Sequence, residues 1–393
     1  MIGKLLRPFI LIIPVSCTLA LGVDHPLTKE SQTLQSPSNG KSFFGFSSDW
    51  RSDNPKADYD TDENERIDAR DLIDMVESAR ESTKGLGIGT ATIPSGTYFM
   101  GNSGSQRDQE YSFSSEFPRH AVTIRNRFEI GLYEITNRRY ADALNQALEE
   151  GELRDSGGGV YAGGDVYLNG RRLIVVSDPY CDIKFLGGAF IIQDRDKIDL
   201  SDHPVCFVTW YGAIAFCNWL SEVHGLPVCY DLLTWTLINP SGGGFRLPSE
   251  AEWEYACRGP ESNPNRYAPY FFGDDIDLDL NSCDRSDLLA EYMVTCTNSR
   301  GWTEEVGLHR PNPYGLYDIN GNVWEWCQDA WHDSYQGAPA DDSPWEVPVS
   351  NFRVVRGGSW TYRPQQCRSA SRDYNAPNKG DFFIGFRVVR VPQ

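Results

Sequence analysis

Apolar and polar positions alternate legibly from about residue 93 onward. Residues 93–100 and 121–135 keep the period of two that half-buried strands require, and Thr136 stands where a hydroxyl caps a helix running through about Glu149. Residues 151–200 are Gly-rich with short apolar runs at 172–176 and 190–192, the pattern of surface hairpins. An amphipathic helix is predicted over 210–223, stopped by Gly225, and Ser249-Glu-Ala-Glu252 forms a capping box that opens a helix over 253–258. Closing strands fall at 353–356 and 384–391. Together these elements predict one large α+β domain over 90–393 with much irregular structure.

Upstream the rhythm is different. Lys4 and Arg7 precede an apolar run to Leu21, and Ala20-Leu21-Gly22 offers a small-residue cleavage site, so residues 1–22 read as a secretory signal rather than a membrane span. Cys17 follows Pro14-Val15-Ser16, and proline in place of leucine argues against lipid anchoring there. Residues 23–50 have no periodicity and read as a flexible linker; residues 51–84 hold an acidic loop and a helix with Leu72, Ile73, Val76 and Ala79 on one face.

Charge narrows the partners. With 36 basic and 55 acidic residues the net charge is -19, which argues against nucleic acid and against an anionic membrane surface. It suits a secreted or periplasmic protein, or one that holds calcium. Ten cysteines, nine of them after residue 22, fit an oxidising compartment and leave at least one thiol unpaired within the mature chain.

Two stretches concentrate oxygen. In Gly315-Leu-Tyr-Asp-Ile-Asn-Gly-Asn-Val-Trp-Glu-Trp326, turn formers bring carbonyls, Asp318 and Glu325 onto a short arc. The residues alone allow either a calcium site or an aromatic turn whose Asp and Asn bond their own backbone. In the acidic loop, Asp60, Asp62, Asn64, the carbonyl of Arg66, Asp68 and Asp71 fall at calcium-loop positions, with Ile67 in the apolar place. Glu65 stands where glycine is usual, and Asp71 is shorter than the expected glutamate. The loop resembles a single dockerin-type repeat. Gly157-Gly-Gly159 and Ser241-Gly-Gly-Gly244 lack a following Lys-Ser or Lys-Thr and read as turns, not phosphate cradles.

Eight motifs then occur in order: Ile93-Pro-Ser-Gly-Thr-Tyr-Phe-Met-Gly101, Phe128-Glu-Ile-Gly-Leu-Tyr-Glu-Ile-Thr-Asn137, His203-Pro-Val205, Trp210-Tyr-Gly-Ala-Ile-Ala-Phe-Cys-Asn-Trp219, Phe245-Arg-Leu-Pro-Ser-Glu-Ala-Glu-Trp-Glu-Tyr255, the arc at 315–326, Arg356-Gly-Gly-Ser-Trp360 and Ile384-Gly-Phe-Arg-Val388. Residues 90–393 resemble the formylglycine-generating enzyme, or sulfatase-modifying factor, domain. That resemblance implies an α+β fold, low in regular structure and related to the C-type lectin fold. It implies a calcium held by Asp318, the carbonyls of Gly321 and Val323, and Glu325, and a substrate groove lined by Trp324, Ser359 and Arg372.

Family oxidases convert a cysteine in a Cys-x-Pro-x-Arg segment of a sulfatase to formylglycine, using oxygen and copper(I) clamped between two thiolates. Here the first thiolate position is Tyr362 and only Cys367 stands near the second, which argues against copper. The resemblance further implies a disulfide between Cys257 and Cys367, with Cys327 as a substitute partner for Cys217. The expected function is an exported, calcium-stabilised scaffold that binds a peptide segment of a secreted protein or a small ligand. The alternatives are an oxidase working through Cys367 and a purely structural surface protein.

Overall fold

A computed structural model describes residues 88–274 and 279–393. The candidate loop ligands Asp60, Asp62, Asn64, Arg66 and Asp71, together with Cys17, the signal and the linker, lie outside the described residues. Among the described residues no helix is long and apolar enough to cross a membrane.

In chain order the strands are β1 (Thr90–Ile93), β2 (Gly96–Met100), β3 (His120–Ile124), β4 (Phe128–Gly131), β5 (Val166–Leu168), β6 (Arg171–Ile174), β7 (Ile183–Leu186), β8 (Ala189–Ile192), β9 (Tyr230–Asp231), β10 (Thr236–Leu237), β11 (Phe245–Arg246), β12 (Trp324–Ala330), β13 (Arg353–Arg356), β14 (Arg372–Asn375), β15 (Ile384–Gly385) and β16 (Val389–Arg390). Between them lie helices α1 (Gln106–Glu110), α2 (Asn137–Glu149), α3 (Trp210–Val223), α4 (Glu250–Arg258) and α5 (Asp287–Tyr292).

The stretch predicted as one strand over 121–135 is two. The chain breaks after Ile124, so that β3 pairs with β2 while β4 crosses to β1. A four-stranded sheet runs β1-β4-β16-β11, wholly antiparallel, and a second runs β14-β13-β12-β15 with only the β12–β15 pair parallel. The hairpins foreseen within 151–200 are β5–β6 and β7–β8.

Local chemistry sets the helix ends. Thr136 Oγ1 accepts the Arg139 N–H at 3.5 Å, and Ser249 and Glu252 exchange the two capping-box bonds at 3.1 and 2.8 Å. The helix over 210–223 differs from its predicted amphipathic form: all of Gly212 to Ser221 is buried, so it is a core helix covered all round.

Where regular structure is sparse, buried ion pairs join the pieces. Glu250 on α4 takes Arg372 of β14 in a two-pronged pair at 2.7 and 2.8 Å, Glu254 takes Arg356 and Arg258, and Arg368 sits between Asp108 and Glu116. These arginines are all inside the protein. Ile93, Val122, Ile124, Phe128, Trp253, Ile319 and Val354 belong to the main apolar cluster.

Candidate functional site

The arc before β12 folds tightly because four of its residues have left-handed backbone: Gly315 at φ 83°, Asp318 at 56°, Gly321 at 94° and Asn322 at 55°. At Gly321 a β-carbon would collide with the Val294 carbonyl, so only glycine fits. The arc is pinned from outside by Gly321 N–H to Gly357 O at 2.8 Å and Asn322 N–H to Val294 O at 2.9 Å. Its carboxylates therefore take fixed places.

Asp318 is buried; its Oδ2 accepts the Gly307 N–H at 2.7 Å while its Oδ1 has no partner. Glu325 is already engaged, taking Arg387 on both oxygens at 2.6 and 2.7 Å and the Trp253 indole N–H at 2.8 Å. A third carboxylate, Glu134 from the segment between β4 and α2, accepts the Asn322 amide at 3.0 Å and the Val323 N–H at 3.3 Å. Burial first, then Asp318 and Glu325, holds Glu134 well above the usual carboxylate range, and burial pushes Asp318 up to about 6.

Arg387 acts on all three acids, and His309 acts on Asp318 as well. A partnerless buried oxygen among these acids fits a hard cation. Asp318 would hold it with the carbonyls of Gly321 and Val323 and with Glu134, while Glu325 braces the arc through Arg387. Among the described residues no trio of His, Cys, Asp and Glu forms a ready-made metal cluster, so carbonyl oxygens are essential to such a site.

The copper-site positions are arranged differently. Tyr362 stands edge-on to Trp324, ring centres 5.5 Å apart, and to Phe383 at 5.3 Å. Cys367 is fully buried under Gly358; its thiol points to the Arg363 carbonyl at 3.7 Å, and burial raises it to about 12. The Cys257–Cys367 bridge is corrected: both are free thiols, Cys257 Sγ lying 3.5 Å from Ser369 Oγ, and Asn320 Nδ2 donates to Cys257 Sγ and to the Cys367 carbonyl. Cys217 and Cys327 are free as well. Among the described residues the disulfide that forms is Cys283–Cys296, and it adjoins Tyr362, because the Cys296 N–H donates to the Tyr362 carbonyl.

Of the expected groove residues, Trp324 borders a cavity of roughly 170 Å³ with Val355, Tyr362, Asp373, Asp381 and Phe383. Ser359 and Arg372 are not among its walls. Ser359 is buried with its hydroxyl unpartnered, and Arg372 is taken by Glu250 and stacked over Tyr335 at 4.3 Å. A wider groove of roughly 570 Å³ adjoins through Tyr374 and is walled by Trp331, His332, Trp345 and Phe352. There His332 lies flat on Trp345, ring centres 3.6 Å apart. The sequence reading missed these residues, and the density of aromatics after Trp326 is the signal that could have found them.

Similarity to known proteins points to the family that the motifs resemble. The chain is 28% identical over 308 residues to the formylglycine-generating enzyme of Bos taurus, covering 76% of this chain and 73% of that one. It is 28% identical over 319 residues to the enzyme of the same name from Streptomyces coelicolor, covering 77% and 88%. Among solved structures, PvdO from Pseudomonas aeruginosa superposes with a TM-score of 0.53 at 26% identity, over 77% of this chain and 94% of that one, and so shares the fold expected from the motifs. The sulfatase-modifying factor enzyme 1-like domain matches residues 76–392, and the chain belongs to that family.

Proposed function

We propose that this protein is an exported, calcium-stabilised scaffold that binds a peptide segment of a secreted protein or a small ligand, and that it carries out no copper-dependent oxidation. One observation carries the reading: the cavity beside Tyr362 is walled by Trp324, Tyr362, Asp373, Asp381 and Phe383, with no sulfur in its lining. A linear copper(I) site needs two thiolates. Tyr362 supplies none, and Cys367 packs under Gly358 against a backbone carbonyl.

Calcium, when bound, would neutralise Asp318 and Glu134 and stiffen the arc that carries Trp324 to the cavity. Its role is structural. The signal-like residues 1–22 and the Cys283–Cys296 bridge support export. The oxidase reading draws on the relatives named formylglycine-generating enzyme and on the presence of Cys367.

Mass-spectrometric turnover decides between them, with purified protein, copper, reductant, oxygen and a Cys-x-Pro-x-Arg peptide. The expected result is an unchanged peptide thiol from protein shown to be folded. Conversion to the aldehyde, abolished by Cys367→Ser, would overturn the proposal.

A further inference from the structure

The small cavity has a charge preference. Asp373 is half-buried on its wall, and its Oδ1 accepts the Tyr374 N–H at 2.8 Å; among the described residues no cation pairs with it. Asp381 faces the same space, bonded to Asn375 Nδ2 at 3.3 Å and to Lys379 Nζ at 2.9 Å. Lys379 is the sole cation in the lining, and its side chain is 60% exposed. It is a loosely held lid charge rather than a buried partner.

Rings complete the enclosure. Trp324, Tyr362, Tyr374 and Phe383 line the cavity, and their faces and edges surround the two acids with apolar, polarisable surface. Trp324 is 1% exposed, a rigid floor for the cavity rather than a mobile wall. About 170 Å³ is the space of five or six waters, enough for a flat or tetrahedral cationic head and too small for a folded segment.

We propose that this cavity receives an organic cation, an ammonium or guanidinium group such as the end of a lysine or arginine side chain. Asp373 supplies the countercharge and Asp381 shares it once Lys379 swings out. The aromatic walls select an organic cation over a hydrated metal ion. Burial holds the Asp373 carboxyl above its ordinary range, and an incoming cation would restore its ionised form. The proposal rests on reading this place as a binding site, and it names the chemistry of what is bound.

Three probes test it on the full-length protein by equilibrium dialysis: N-acetyl-L-arginine amide, its uncharged isostere N-acetyl-L-citrulline amide, and n-butylguanidinium. The arginine amide should bind about tenfold or more tighter than the citrulline amide, and Asp373→Asn should remove most of that difference. Lys379→Ala removes a competing charge and should strengthen binding, a gain that a merely structural lysine would not give. Butylguanidinium binding as tightly as the arginine amide assigns the site to small free organic cations; weaker binding assigns it to basic residues of a peptide.

Equal binding of the charged and neutral amides, an unchanged affinity in Asp373→Asn, or no binding at millimolar probe would overturn the proposal. Turnover of the Cys-x-Pro-x-Arg peptide would sink the non-oxidative reading while leaving charge selectivity to be read from these probes. The two failures are therefore separable.

Discussion

Asp318 sits among three buried acids, itself with Glu134 and Glu325, that face Arg387 and His309. Its Oδ1 is buried without a partner, Glu134 lies nearby, and Arg387 is committed to Glu325. A cation that binds only the folded state stabilises it by mass action, about 2.7 kcal/mol at a hundredfold excess over Kd. The melting midpoint should rise when calcium replaces chelator. In Asp318→Asn that rise should vanish, while the chelated protein melts no lower than wild type, because one of two repelling carboxylates is gone. Equal midpoints for wild type with and without calcium would sink the site. Asp318 and Glu325 were legible in the sequence because one short motif holds them. Glu134 was not: only the fold brings a residue before α2 to the arc that precedes β12, and no local pattern records that meeting.

At the scale of elements, α4 organises its surroundings through spacing. Glu250, Glu254 and Arg258 succeed one another every four residues on one face, and that face meets Arg356 of β13 and Arg372 of β14. Arg372 is thus a structural tie at a position where the family resemblance implied a groove residue. Arg372→Ala would leave Glu250 buried without its main partner and should cost about 3–5 kcal/mol in urea denaturation, with no selective loss of arginine-amide binding. An Arg372→Ala protein of normal stability that failed to bind would return the residue to the groove. The start of α4 could be read from the sequence because a capping box is local chemistry. Strand β12 could not, since all seven residues from Trp324 to Ala330 are buried and no inside-outside alternation survives to mark a strand.

For the whole molecule, buried carboxylates shape how stability follows pH. Asp329, at the far end of β12, accepts the Glu250 N–H at 2.7 Å and the Trp345 N–H at 2.8 Å, tying α4 to the wall of the wide groove. Burial, with Glu250 and Glu346 as the nearby acids, pushes it up to about 7, against about 3.9 in an unfolded chain. Between those values the folded state holds a proton that the unfolded state has released. The resulting stability is therefore fully present below about pH 4 and is lost as pH rises through 7, with a slope of at most about 1.4 kcal/mol per unit. Asp108 and Glu304, whose carboxyls are lowered in the fold, act in the opposite sense, so the absolute curve mixes both signs. The difference between wild type and Asp329→Asn isolates the one group. Urea denaturation at intervals from pH 4 to 8 should give curves that diverge up to pH 7 and run parallel above it, the wild type losing up to one proton's worth of slope that the variant keeps. Parallel curves throughout would mean that Asp329 is ionised in the folded protein across this range, held so by its two backbone donors.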